Sequence, residues 1–395
     1  MMIKEMIAML AQGGLVRVQS SVMVLLSFLS AGFGIGVWAS NLPVLAERAR
    51  LSEAELGLVL LCFAVGAIIA MTGASFLLAR LGAGRVSVAS ALLFGLCVIL
   101  VGQISGFAVA TAIVFLCGLT FGTLDVAMNK ATATIEARKG RPIMASYHAA
   151  FSAGTLVAAL VYAQFLSAGL SMAASLALAG LIILIMATIA AVVGRGSDWS
   201  DPPPAPGHAA PLPAPGRLVL ILGIMAAVAF MAEGALMDWG PYYLVHVLGS
   251  SESAGAYGYA CFAGMVTLGR LVGDRAKRIL GAVRLFILSA LLVAVALAIM
   301  ITIPVMMVAI LAMGLAGLGI ANMVPLVFSS AGQIGGADGG RAMSRVIGMG
   351  YASVLVAPAC IGFIAQSSSL QFGLGLVVVI IAAVTALGPY LAPQK

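Results

Sequence analysis

Apolar runs of membrane-crossing length, separated by short clusters of glycine, proline and charge, recur from one end of the chain to the other. A hydrocarbon core about 30 Å thick needs about 20 apolar residues per helical crossing, and twelve such runs can be drawn. The first half gives Ser20–Asn41, Ala54–Ala79, Val86–Ile104, Phe107–Ala133, Met144–Ser167 and Leu170–Gly194. The second gives Leu218–Leu244, Ser253–Val272, Ala282–Ile303, Pro304–Phe328, Met343–Ala365 and Leu370–Leu391. Run length predicts helices, because a membrane strand would show roughly ten residues of alternating polarity. The expected fold is an all-α membrane protein with twelve transmembrane helices.

Composition agrees: 63% of the 395 residues are hydrophobic and 8% are charged, whereas about a quarter of a soluble domain is charged. The few charges are segregated. A cytoplasmic N-terminus places every Lys and Arg except Arg48 and Arg50 on the cytoplasmic side, which an odd number of spans would scramble. The expectation is a multi-pass protein of the bacterial inner (plasma) membrane with both termini cytoplasmic. The formal charge of +7 then reports topology and implies no nucleic-acid partner. Asn41 and Pro43, not a small-residue cleavage site, follow the first run, which is expected to remain as a helix. The five cysteines lie within spans without metal-ligand spacing, so neither a disulfide framework nor a metal or cofactor site is implied.

Between the sixth and seventh runs, Arg195 to Arg217 holds Pro202, Pro203, Pro204, Pro206, Pro211, Pro213 and Pro215, a composition that suits an extended cytoplasmic linker. The predicted organisation is an N-terminal six-helix bundle (1–194), the linker (195–217) and a C-terminal six-helix bundle (218–395). The halves echo each other. Trp38 with Trp239 and Gly57 with Gly258 share one offset, and each half has a basic loop after its second span, at Arg80 to Arg85 and at Asp274 to Arg284. Paired six-helix repeats are a transporter architecture.

The segment Gly269-Arg-Leu-Val-Gly273-Asp274-Arg275 resembles the loop signature of the major facilitator superfamily. In the matching first-half segment, Gly73 to Arg85, Ala79 replaces the acidic residue. Asp125-Val-Ala-Met-Asn129, Gly140-Arg-Pro-Ile-Met-Ala-Ser-Tyr-His148 and Ala232-Glu-Gly-Ala-Leu-Met-Asp-Trp239 are similar to the fucose-permease-related, YbjJ-type branch of bacterial inner membrane proteins. The resemblance implies alternating access and names no cargo.

Ionisable groups inside a span cost roughly 3 kcal/mol on insertion scales, so each one is a candidate. Asp125 in span four shares a helical face with Asn129, Thr132 and Glu136. Glu233 falls near the middle of span seven between Ala232 and Gly234. A carboxyl group in a low dielectric keeps its proton to higher pH, so Glu233 and Asp125 are the proton-coupling candidates; the alternative is a structural carboxylate paired with a fixed cation. Asp238 is expected near the outer interface, as a solvated or gating residue.

His148, Ser152, Thr155 and Tyr162 recur at helical spacing in span five and are candidates for a cavity wall, although His148 also suits an interfacial hydrogen bond. Ser27, Ser30, Gly34, Trp38 and Asn41 form a stripe on span one, with Asn322 in span ten as a possible counterpart. Trp and Asn suit a polyol or sugar, and Trp38 and Trp239 equally suit an aromatic belt. Asp274, with Arg270 and Arg275, is the gating candidate, because a helix N-terminus near Ile143 to Ser146 would favour its charge. Pro325 and Pro358 are expected to kink their spans, and Pro241 to break the end of span seven.

No phosphate-binding G-x-x-x-x-G-K-[ST] motif occurs, so gradients are the expected energy source. The leading expectation is proton-coupled movement of a small polar solute by a monomer. Efflux of amphipathic compounds is the alternative, and span five lacks the G-x-x-x-G-P-x-x-G-G pattern of drug:proton antiporters. A membrane sensor and a membrane enzyme fit less well, for want of an appended domain or a catalytic cluster. Reporter fusions in the linker and at the C-terminus are expected to report the same, cytoplasmic, face; opposite faces would refute the even span count.

Overall fold

The structure, a computed structural model, describes residues 2–139, 143–195, 216–334 and 339–392. Arg141, most of the proline-rich linker and Lys395 lie outside the described residues. The helices are α1 (Met2–Ala49), α2 (Glu53–Leu81), α3 (Ala83–Val101), α4 (Phe107–Lys139), α5 (Met144–Ser167), α6 (Met172–Val193), α7 (Arg217–Gly234), α8 (Glu252–Thr302), α9 (Met306–Gly332), α10 (Gly339–Ser367) and α11 (Leu370–Val384), which a 3-10 turn (Thr385–Leu391) extends. Among the described residues, eleven helices are long and apolar enough to cross a membrane.

The difference from twelve lies in α8. Its 51 residues are broken at Gly281, whose φ of 75° and ψ of 162° are non-helical and suit a residue without Cβ. Gly281 falls where the sequence pattern separates Ser253–Val272 from Ala282–Ile303. Other boundaries differ from expectation as well. Span one does not end at Asn41, because α1 continues through Pro43 to Ala49. Span seven leaves α-helical geometry before Pro241, in a π-helical turn at Ala235–Trp239 and a second at Tyr243–Val247 around Gly240–Tyr242. Proline supplies no N–H to the preceding turn, and π-turns accommodate such a gap in the ladder. Helix starts follow local chemistry: Ser52 and Glu55 exchange bonds at the start of α2 (Ser52 N to Glu55 Oε2, 2.9 Å; Glu55 N to Ser52 Oγ, 3.3 Å), a capping box.

Helix pairing rests on glycine. A Cβ on Gly118 of α4 would overlap the Phe63 carbonyl oxygen of α2, and one on Gly122 would overlap that of Ala67. In the second half, a Cβ on Gly317 of α9 would meet the Phe262 carbonyl oxygen of α8 at 2.6 Å. Gly118 with Phe63 and Gly317 with Phe262 share one offset along the chain, so the same contact is built twice. A second pairing also recurs. Gly32 of α1 abuts the Phe151 carbonyl of α5, and Gly350 of α10 abuts Phe230 and Ala226 of α7. Without water to drive helices together, close backbone approach through small residues supplies the contact.

Two compact units emerge. One holds α1 up to Trp38, Cys62–Ala158 and α6; the other holds Ala39–Leu61, Ala159–Ala168 and the helices from α7 onward. The ends of α1 and α5 and the start of α2 thus pack with second-half helices.

Gly118→Leu is expected to lower stability by about 1–3 kcal/mol, the range for overpacking, read as a reduced melting temperature in detergent. Gly73→Ala, at a position with open space around it, is expected to stay within about 0.5 kcal/mol.

Candidate functional site

In the first unit, α4 and α5 build a polar chain. Asn129 donates through Nδ2 to the Asp125 carbonyl (2.8 Å) and to Asp125 Oδ1 (3.2 Å). Its Oδ1 meets His148 Nε2 at 3.1 Å, so that nitrogen is the donor. The His148 ring stands edge-on to Phe28, 5.2 Å away. The sequence stripe on α4 does not all join this chain. Thr132 is buried and donates back to Met128 O at 2.8 Å. Glu136 accepts from the Ile143 and Met144 N–H groups through Oε2 (2.8 and 3.0 Å). The α5 N-terminus, for which Asp274 was a candidate acceptor, is therefore capped by Glu136.

An aromatic series adjoins the polar chain. Trp38 stacks on Phe63 (5.5 Å, 16°), Phe63 lies against Phe121 (5.7 Å), and Phe121 against Phe94 (5.6 Å). Phe121 and Asp125 are four residues apart on α4, so they share a face. Trp38 and Trp239 are both buried, which does not fit a lipid-facing aromatic belt.

Other candidates bond within a helix or between neighbouring helices. Ser27, Ser152 and Thr155 donate to carbonyls of their own helices (Met23, His148 and Phe151 at 3.1, 3.2 and 3.0 Å), and Gly34 lies against the Phe94 ring. Asn322 of α9 donates to Gly269 O of α8 at 3.1 Å and fits over Gly273, which makes it a helix-to-helix tie. Asp274 and Arg275 are exposed.

The second unit holds another ionisable group. Glu233 Oε1 of α7 pairs with Arg270 NH2 of α8 at 3.4 Å, with side-chain exposures of 24% and 45%. Tyr259 of α8 lies within electrostatic reach of both and of Asp238. Asp238 is buried in the π-turn, contrary to the expectation of a solvated group at the interface; the turn carries it against α8 and α10.

This unit also ties the ends of α1 and α5 and the start of α2 to second-half segments. Tyr162 OH of α5 donates to Asn41 Oδ1 of α1 at 2.5 Å, and Gln164 Nε2 to Tyr257 OH of α8 at 2.5 Å. His246 Nε2 donates to Pro43 O at 2.9 Å, and Tyr242 OH to Glu53 Oε1 at 3.5 Å. The His246 and Tyr242 rings stack at 4.3 Å. A Cβ on Gly362 of α10 would overlap the Glu53 carbonyl. The sequence reading missed His246, Tyr242, Glu53, Gln164 and Tyr257; their one signal was polarity at span ends, which solvation explains equally well.

The Major Facilitator Superfamily profile matches residues 24–334. An uncharacterised MFS-type transporter of Yersinia pestis is 34% identical over 363 residues, covering 91% of this chain and 93% of that protein. A crystal structure of a bacterial homologue of the human lysosomal transporter Spinster, inward-facing and unoccupied, aligns with a TM-score of 0.75 at 13% identity, over 95% of this chain and 96% of that one. A D-xylose–proton symporter aligns with a TM-score of 0.71 at 13% identity, over 96% and 99%. Identities this low speak for a shared fold and not for a shared cargo.

Tyr162→Phe leaves the buried Asn41 Oδ1 without its hydrogen-bond donor and is expected to cost about 1–3 kcal/mol, the penalty of an unpaired buried polar group. The double variant Asn41→Leu with Tyr162→Phe is expected to recover part of that loss in thermal unfolding. A double variant less stable than Tyr162→Phe alone would contradict the pairing.

Proposed function

The chain belongs to the major facilitator superfamily and is a multi-pass inner-membrane secondary transporter of small solutes, not an enzyme; we propose that it moves a small, polar, sugar-like solute by proton-coupled alternating access. The carrying observation is the aromatic series Trp38, Phe63, Phe121 and Phe94 beside the chain Asp125, Asn129 and His148. A sugar presents apolar C–H faces and a rim of hydroxyl groups. Aromatic faces suit the first, and a carboxylate, amide and imidazole in series suit the second.

In this reading the twelve spans form two six-helix bundles, 1–194 and 218–395, with the break at Gly281 separating spans eight and nine. The recurrence of the Gly118–Phe63 contact as Gly317–Phe262 supports a repeat of that kind. Both termini are cytoplasmic, the protein acts as a monomer, and it stands with the fucose-permease-related, YbjJ-type branch. The Tyr162–Asn41 and His246–Pro43 contacts then close the outer end, and Asp274, Arg275 and Arg270 belong to the cytoplasmic gate. Proton coupling is assigned to carboxyl groups of spans four and seven, Asp125 among them.

The test is a thermal-shift panel of sugars and polyols on purified protein, followed by flux in proteoliposomes with and without a pH gradient. Stabilisation by a polar solute and flux driven by the gradient are expected, and Trp38→Ala should weaken binding about tenfold, the upper end of an aromatic contact. Flux indifferent to the gradient would refute coupling. Stabilisation by amphipathic cations alone would refute the polar cargo.

A further inference from the structure

We infer that Asp238, not Glu233, is the proton-carrying carboxyl of span seven, held by the π-helical turn in a water-poor setting from which the transport cycle must release it. This rests on the proton-coupled reading above and identifies the group that carries it in the second half.

Glu233 and Asp238 stand five residues apart at the end of α7 and in the turn that follows, yet their surroundings differ. Glu233 is 24% exposed and faces Arg270 at 3.4 Å. Arg270 is a permanent cation and supplies the counter-charge that an ionised Glu233 needs. Asp238 is 6% exposed. Among the described residues, no hydrogen bond or ion pair reaches its carboxyl group. Its neighbour Trp239 is fully buried, and the indole Nε1 has no hydrogen-bond partner. Two adjacent, buried, unmatched polar groups therefore sit on a stretch of span seven that has left α-helical geometry. π-turns inside helices recur at functional positions.

The elements packed against this turn offer little compensation. On α8 the titratable group within reach is the Tyr259 phenol, itself near Glu233 and Arg270. On α10 no acidic or basic side chain occurs after Arg345. A carboxyl group buried with no counter-charge is accommodated as the neutral acid. When the surroundings open to water, ionisation becomes favourable and the proton leaves. That pair of states is what coupling requires. Glu233 with Arg270 remains a charge pair that positions α7 against α8.

The experiment reads the proton itself, so no cargo is needed. Full-length protein in lipid nanodiscs is titrated from acidic to alkaline buffer and followed by infrared difference spectroscopy at the C=O stretch of protonated carboxylic acids. Asp238→Asn is expected to remove one component of that band, and Glu233→Gln to leave it in place. Asp238→Glu, which keeps a carboxyl group and guards against a misfolded Asn variant, is expected to retain the component at a shifted frequency. A band unchanged in both Asp238 variants would overturn the assignment, while leaving coupling open to another group. Flux that ignores a pH gradient would instead sink the coupled reading, with the protonated Asp238 still observed.

Discussion

The absence of water from the hydrocarbon core governs this structure. A backbone N–H or C=O left unmatched there costs several kcal/mol, so the chain crosses as helices. An ionisable side chain there needs a partner or a proton. Each intramembrane polar residue can be read against that requirement. Asp125 has the Asn129 amide, Glu233 has Arg270, and Asn322 bonds the Gly269 carbonyl. Asp238 has burial without a partner, and for that reason it carries the most mechanistic weight.

The same solvent removes the usual force between helices, since lipid tails are as apolar as leucine. Glycine seams take its place. Gly118 and Gly122 seat α4 on α2, and Gly317 seats α9 on α8. One seam thus recurs in both halves, at Gly118 with Phe63 and at Gly317 with Phe262. The ties of Tyr162 to Asn41 and of His246 to the Pro43 carbonyl use hydrogen bonds instead.

Much of the fold was legible because span length follows directly from bilayer thickness. The Gly281 break fell where the pattern placed a boundary, and the superfamily was visible in the Gly269 to Arg275 motif. The site was less legible. Exposed Leu116, Ile185 and Val379 face outward with the same chemistry that fills the interior, so helical periodicity says little about which face is buried. The partners of Asn41 and Asn322 were not legible, because sequence shows polarity and Tyr162 and Gly269 are far away along the chain. The first apolar run stops at Asn41, whereas α1 runs on through Pro43 to Ala49 and His246 meets the Pro43 carbonyl.

All of this requires that the polar groups of these spans face the protein interior and not lipid. The most direct test is labelling in proteoliposomes, in a background with all five cysteines replaced. Cysteines are placed at Asn129 and at Leu116 of the same helix. A water-soluble maleimide is expected to react at position 129 and leave position 116 unmodified, while a lipid-dissolved nitroxide quenches a label at 116 alone. The reverse pattern would contradict the inward-facing placement.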